Sequence, residues 1–203
     1  MKKHLLSFIA CLGLISFAHA PAHAAAITGE AAPAFSALDT HANPITLDGL
    51  KGKIVVLEWT NDGCPFVRKH YDGGNMQKTQ AAVAGDDVVW ISVISSAEGK
   101  QGYVDAEGAN KIVADNKAQP SHVILDPTGE IGQAYEEQTT PHMFVIDKDG
   151  KIAYHVAIDD HPHAHDRGLE DAKNYVVAAV SELREGQAVA TPETAPYGCS
   201  VKY

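Results

Sequence analysis

Two apolar runs, Ile54-Val55-Val56-Leu57 and Val88-Val89-Trp90-Ile91-Ser92-Val93-Ile94, limit what this chain can become more than any other feature. Neither alternates apolar with polar residues, so neither offers a face to water. Both are short and rich in β-branched side chains, the pattern of strands buried in a sheet covered on both sides. The surrounding sequence supplies the covers. Phe35–Leu38 and Ile45–Leu47 read as a hairpin with Asp39–Pro44 as its loop, and Lys53–Trp59 as the first strong strand. A helix starts at Pro65, and Asp72-Gly73-Gly74 breaks it near Tyr71. Asn75 caps a second segment running through Gln77 to Ala84. Val88–Ile94 follows, then a helix over Gly102–Asn116, a strand at His122–Asp126 and a short helix over Ile131–Glu136. Strands His142–Ile146 and Lys151–Ala157 flank the turn Asp147-Lys148-Asp149-Gly150. A last helix, Leu169–Arg184, carries Val176, Val177, Val180 and Leu183 at helical spacing and stops at Gly186. Strands alternating with helices, then a hairpin and a helix, give an α/β sandwich: a mixed central β-sheet with helices on both faces. There is no internal repeat.

The first 24 residues stand apart. Lys2-Lys3 precedes an apolar stretch from Leu5 to Phe17, and small residues follow in Ala18-His19-Ala20 and Ala22-His23-Ala24. This is the layout of a secretory signal peptide, and Pro21 disfavours the first cleavage pattern, so cutting is expected after Ala24. The stretch is short for a transmembrane span, and no other is long and apolar enough for one. The expected organisation is a signal peptide (1–24), one globular domain (25–186) opening on a flexible lead-in to Ala34, and a tail (187–203). Losing Lys2 and Lys3 takes the formal charge from −10 to −12. So acidic a chain is a poor partner for nucleic acid or an anionic membrane surface. Losing Cys11 leaves Cys64 and Cys199 in a periplasmic or secreted protein, where a disulfide is free to form.

Chemistry concentrates where the first strong strand ends. Asn61-Asp62-Gly63 turns the chain, and Cys64-Pro65 follows, with proline at the first helical position, where its missing N–H costs nothing. A cysteine at a helix N-terminus is biased toward the thiolate by the unpaired N–H groups and the helix dipole. Arg68, about one turn on, adds positive charge to the same end. Cys64 is thus a candidate nucleophile; the plain alternative is a small apolar residue at a strand–helix junction.

With these pieces in order, the chain resembles a thioredoxin-fold redoxin of the alkyl hydroperoxide reductase/thiol-specific antioxidant group, in its peroxiredoxin-like branch. The likeness spans about residues 33 to 203. It rests on Trp59, on Gly63-Cys64-Pro65-Phe66-Val67, on Thr140-Pro141-His142-Met143-Phe144-Val145-Ile146-Asp147 and on Gly198-Cys199-Ser200-Val201-Lys202. The resemblance implies a thioredoxin-like sandwich and an exported thiol oxidoreductase or peroxidase-like antioxidant. It implies no cofactor, and as partner either a thiol or disulfide protein or a peroxide. It places Cys64 at the attacking cysteine and Thr140-Pro141 at a cis-proline beside it. It puts Glu58, six residues before Cys64, at a buried carboxylate that exchanges the thiol proton. An ordinary ion pair of Glu58 with Lys53 or Arg68 is the other reading.

Two positions depart from the patterns the resemblance brings. Val67 stands where a Cys-x-x-Cys motif has its second cysteine. Asn61 stands where peroxiredoxins carry the hydroxyl three residues before their cysteine, with Thr60 one place off. Turnover therefore needs a second thiol from elsewhere, and Cys199 is the available one. It would condense with an oxidised Cys64 to a disulfide. A permanent structural bridge, which would stabilise by roughly 2–5 kcal/mol, and two independent thiols are the alternatives.

A second constellation is Asp159-Asp160-His161-Pro162-His163-Ala164-His165-Asp166. Alternate residues of an extended loop point the same way, so His161, His163 and His165 are candidate zinc or copper ligands, against a plain solvated loop. A metal-binding protein, or a redox-inert domain taking a peptide between Cys64 and Pro141, are the functions that compete with thiol chemistry. His70 and His122 read as structural, His142 as a strand residue near the site, and Trp59 and Trp90 as core.

Overall fold

A computed structural model describes residues 26–203; the expected signal peptide lies outside them. The central sheet has five strands, lying side by side in the order His122–Leu125, Val88–Ile94, Ile54–Trp59, His142–Ile146 and Ile152–Val156. β3 (Ile54–Trp59) lies between β4 (Val88–Ile94), parallel to it, and β7 (His142–Ile146), antiparallel. β5 (His122–Leu125) adds in parallel beyond β4, and β8 (Ile152–Val156) antiparallel beyond β7. The sheet is thus mixed, as expected. Every residue of β3 and β7 is buried, which is what their unbroken apolar runs require.

Alternation along β3 sorts its side chains. Ile54 and Val56 join a core cluster with Cys64, Met143 and Val145. That side is covered by α1 (Pro65–Asp72), α2 (Asn75–Val83) and α5 (Tyr175–Arg184) through Val67, Tyr71, Met76, Val83, Val176 and Val180. Val55, Leu57 and Trp59 face the other way, onto Phe144, Tyr135 and the hairpin of β1 (Ser36–Leu38) and β2 (Pro44–Thr46). α3 (Ala106–Asp115) packs Ala109 on Ile94 and Val123, and α4 (Glu130–Ala134) brings Ala134 to the hairpin side. Helices therefore stand on both faces.

Several boundaries differ from the sequence reading. Asn75 is not the cap of α2: Gly74 takes that place at φ 72°, and Asn75 turns its amide to His70 Nδ1 at 2.8 Å. α3 begins at Ala106 rather than Gly102, because the Asp105 carboxylate accepts from Gly108 N at 2.8 Å and fixes the start. The last helix begins at Tyr175, not Leu169. Asn174 caps it, accepting from Val177 N at 3.0 Å, and Leu169–Asp171 is a separate single turn. The lead-in before Ala34 is pinned: Gly29 N donates to Ile152 O and Ala32 N to Gly150 O.

The tail differs most from a loose extension. His155 N donates to Pro192 O, Ala157 N to Thr194 Oγ1, and Ala97 N to Lys202 O. Between these points β9 (Cys199–Ser200) pairs antiparallel with β6 (Thr139–Thr140), in the register Thr140↔Cys199.

Candidate active site

Cys64 caps α1 with an extended backbone, followed by Pro65 at the first helical position. The turn before it is built by Asn61, whose Oδ1 accepts from Gly63 N at 2.9 Å while its Nδ2 donates to Gln101 O at 3.2 Å. Both ends of the Asn61 amide are thus committed to loop structure. The Cys64 side chain is fully buried, and its Sγ donates to the carbonyl oxygen of Thr140 at 3.2 Å. The Thr140–Pro141 bond is cis, as the sequence led us to expect.

The pairing of β9 with β6 brings the second thiol in. Cys64 and Cys199 are free, and Cys199 is only partly buried. Burial pushes the Cys64 thiol up, but hydrogen bonds from the Cys199 thiol, from Thr140 and from the backbone of Val67 and Cys199 outweigh it, and the net shift is downward. The carbonyl contact, which only a protonated thiol makes, works against that shift. Cys199 moves the other way, pushed up to about 11 by burial and by its hydrogen bond to and charge repulsion from Cys64. The two sulfurs are thus shifted in opposite directions, Cys64 down and Cys199 up.

Glu58 sits on the same face of β3 as the cluster holding Cys64, and it is fully buried. Tyr71 Oη donates to its Oε1 at 2.6 Å; Trp90 Nε1 and Ser92 Oγ donate to its Oε2 at 2.8 and 3.0 Å. Burial raises its pKa despite these three donors. The ion-pair reading does not hold, since Lys53 donates to Asp86 O. Arg68 donates to Asp62 at 2.6 Å, to Asn116 at 3.0 Å and to Asp72. Those two carboxylates neutralise the guanidinium, so Arg68 does not serve as the free positive charge expected near Cys64.

The His-rich loop does gather its imidazoles: the rings of His161, His163 and His165 have centroids 5.1 to 5.5 Å apart. The arrangement is not that of ligands around an ion. His161 Nε2 bonds Arg167 O at 2.8 Å, and its Nδ1 lies 3.3 Å from Lys69 Nζ. Among the described residues no group of three His, Cys, Asp or Glu side chains is placed to hold a metal. The loop instead lines, through Ala164, His165 and Asp166, a groove of about 430 Å³ over the start of the helix that Cys64 caps, whose other side is Gly63, Pro65, Arg68 and Lys69.

The sequence reading missed two groups. One is the set that fastens the tail. Tyr197 Oη donates to Asp159 Oδ1 at 2.6 Å and accepts from His70 Nε2 at 3.2 Å, and its ring packs on Phe66 under Lys69 Nζ. Gly198 has φ 136°, and a Cβ there would run into the Thr140 carbonyl. An aromatic and a glycine directly before the last cysteine were the available signal. The other group lies behind the cis-proline. Glu137 and His142 are buried 3.6 Å apart, and neither carboxylate oxygen nor ring nitrogen has a hydrogen-bond partner. His122 is structural as expected, its Nδ1–H donating to the Asp39 carboxylate at 2.8 Å. Trp59 is core, its Nε1 donating to Ser95 at 3.0 Å.

Comparison with known proteins bears on the family and the fold. The family model described as Redoxin matches residues 27–175, a stretch that holds Cys64, Glu58 and Pro141 but not Cys199. The thiol-disulfide oxidoreductase ResA of Bacillus subtilis is 27% identical over 124 residues, 61% of this chain and 64% of that protein. The match thus spans less than two thirds of the relative. An uncharacterised protein of Geobacillus kaustophilus shares the fold with a TM-score of 0.72 at 22% identity, over 88% of this chain and 93% of its own. The thioredoxin domain of a Bacteroides vulgatus thiol-disulfide oxidoreductase does so with 0.53 at 23% identity, over 71% of this chain and 96% of its own.

Proposed function

We propose that this chain, which belongs to the Redoxin family, is an exported thiol–disulfide oxidoreductase whose working pair is Cys64 and Cys199. The observation that carries the reading is the β6–β9 pairing, which sets the higher-pKa thiol of Cys199 against the lower-pKa sulfur of Cys64. The likeness to ResA, a protein named for this activity, supports it. In the reducing direction the Cys64 thiolate attacks one sulfur of a partner's disulfide. The partner's S–S bond breaks, its other sulfur leaves as a thiolate, and a mixed disulfide forms. Cys199 gives up its proton and attacks Cys64 Sγ. The second partner sulfur leaves as a thiolate, and Cys64 and Cys199 end as a disulfide. Two electrons pass to the partner, and the reverse sequence oxidises a dithiol. Glu58, buried on the same side with a raised pKa, is the group we assign to hold the proton that moves.

A peroxide substrate is the second reading, and one observation favours it. Thr140 Oγ1 is buried with no partner other than the Cys64 sulfur, in the residue whose carbonyl also touches that sulfur. It is a hydroxyl placed at the thiol to orient a peroxide where Asn61 supplies none. On that reading the Cys64 thiolate attacks one peroxide oxygen, the O–O bond breaks, the other oxygen leaves as water or an alcohol, and the sulfenic acid formed condenses with the Cys199 thiol to a disulfide, releasing water.

The reduction potential tests the common core of both. Titration of the purified protein against dithiol buffers, with both cysteines mapped by mass spectrometry, should show a Cys64–Cys199 disulfide with a potential well above about −300 mV, the upper limit for structural bridges. A value below that limit would leave the bridge as a structural tie.

A further inference from the structure

The thiol whose pKa is shifted down is the one solvent cannot reach. Cys64 has 0% of its surface exposed, while Cys199 lies partly open above it. What stands over the site is the chain's own tail. β9 is two residues long and, among the described residues, pairs as a strand with β6 alone, itself two residues long and the edge that leads into Pro141. β9 is thus an extended, cysteine-bearing segment laid antiparallel on a strand edge, the geometry by which a sheet edge accepts a segment of another protein.

The strap is built to lie on the surface. No residue from Ser181 to Tyr203 is fully buried. It is held at separate points instead: Thr194 against Ala157, Tyr197 between Asp159 and His70, Lys202 on Ala97. Its close approach to β6 depends on one residue. Gly198 sits at φ 136°, a region open to glycine, and directly over the Thr140 carbonyl. Any side chain at position 198 collides with the strand that β9 pairs with. Lifting the strap around β9 takes the partly buried Tyr197 and Cys199 off the edge of the core cluster, uncovers Cys64 and frees the β6 edge together.

We propose that β9 is an internal occupant of a partner-docking edge: an extended, cysteine-bearing segment of a redox partner reaches Cys64 by displacing β9 from Thr139–Thr140. This rests on the proposed thiol–disulfide function and adds its partner class, a protein presenting its cysteine in an extended, edge-pairing segment rather than a compact small molecule. With both thiols free the strap lies on β6 through non-covalent contacts that a partner segment can displace; a Cys64–Cys199 disulfide adds a covalent tie.

The test uses full-length protein with Cys199→Ser, alone and with Gly198→Ala added to drive β9 off β6. The probe is a ten-residue extended peptide whose single cysteine carries thionitrobenzoate; Ellman's reagent is the small-molecule control. In each case the Cys64 thiolate attacks the probe's disulfide, its S–S bond breaks, thionitrobenzoate leaves with the electron pair and is read by absorbance. We expect Cys199→Ser alone to react slowly with both. Adding Gly198→Ala should accelerate the peptide at least tenfold more than Ellman's reagent. N-methylation of the peptide amide that would pair with Thr140 should abolish that extra gain. Equal acceleration of both probes, or no loss on N-methylation, would overturn the docking edge while leaving the thiol chemistry intact. Fast reaction of the single variant with both would show that the strap does not occlude. An opened variant inert to both probes would remove the oxidoreductase reading, and this inference with it.

Discussion

Replacing Glu137 with glutamine should flatten the chain's stability at alkaline pH. Glu137 is 5% exposed, neither of its carboxylate oxygens has a hydrogen-bond partner, and His142 Nδ1 lies 3.6 Å away. Burial pushes Glu137 from 4.5 up to about 9, and burial together with His155 takes His142 from 6.5 down to about 3. In the folded chain the pair therefore carries one proton through the neutral range, and which partner holds it does not change the count. Unfolded, Glu137 releases its proton above about pH 4.5 and His142 takes one up below about pH 6.5. Between those values folded and unfolded chains bind equal numbers of protons at this pair, and its contribution is flat. Above about pH 6.5 the folded pair holds one proton more. Stability then falls as pH rises toward about 9, by up to about 1.4 kcal/mol per pH unit, or about 2 kcal/mol from pH 7 to pH 8.5. Glu137→Gln keeps the shape and removes the titration. Urea denaturation of reduced wild type and variant at pH 7.0 and 8.5 reads the difference, and the cysteines, which also titrate there, cancel between the two proteins. The variant should lose less stability over the interval by about that amount. Parallel profiles would show that Glu137 ionises normally in the folded chain and would refute the argument.

Two further outcomes follow from the site. Cys199→Ala removes the largest of the hydrogen bonds that lower Cys64, so the Cys64 thiol should ionise at higher pH than in wild type; thiolate absorbance near 240 nm during titration measures it, and an unchanged midpoint would take Cys199 out of the activation of Cys64. Tyr71→Phe deletes the 2.6 Å bond to Glu58 Oε1 in a fully buried setting, so it should cost about 1–3 kcal/mol in chemical denaturation and raise the Glu58 pKa further.

What could be read from the sequence was what neighbours along the chain decide. The unbroken apolar runs of β3 and β4 demanded a sheet covered on both sides. Asn61-Asp62-Gly63 before Cys64-Pro65 demanded a turn and a helix start, and both stand as expected. Where two residues compete for one local role, the reading slipped. Gly74 takes the left-handed cap position of α2 more cheaply than Asn75 can, and this frees the Asn75 amide for His70. Asn174 and Asp105 capped helices that apolar spacing alone had extended backwards. Charge was misjudged for a similar reason. Arg68 is one turn from Cys64, but Asp72 lies as close along the chain and Asp62 only six residues away, and the two take its guanidinium first.

What local sequence could not show is set by contacts between residues far apart. A two-residue strand has no periodicity, so β9 has no signature of its own. It exists because β6, some sixty residues earlier, offers an edge and Gly198 allows the approach. The same holds for Glu137 and His142, each unremarkable alone and unusual only as a buried, unpartnered pair. The site is accordingly made of two parts with different origins. Cys64, Glu58 and Pro141 belong to the sheet and its first helix, within the matched family region. Cys199 arrives on a surface strap outside it, fastened by Tyr197 and Gly198. Val67 leaves Cys64 without a neighbouring thiol on its own helix, and the strap fills that gap from a distance. On the reading proposed above, a thiol carried this way is also a cover, so the element that would complete the redox pair is the one that would govern who reaches it.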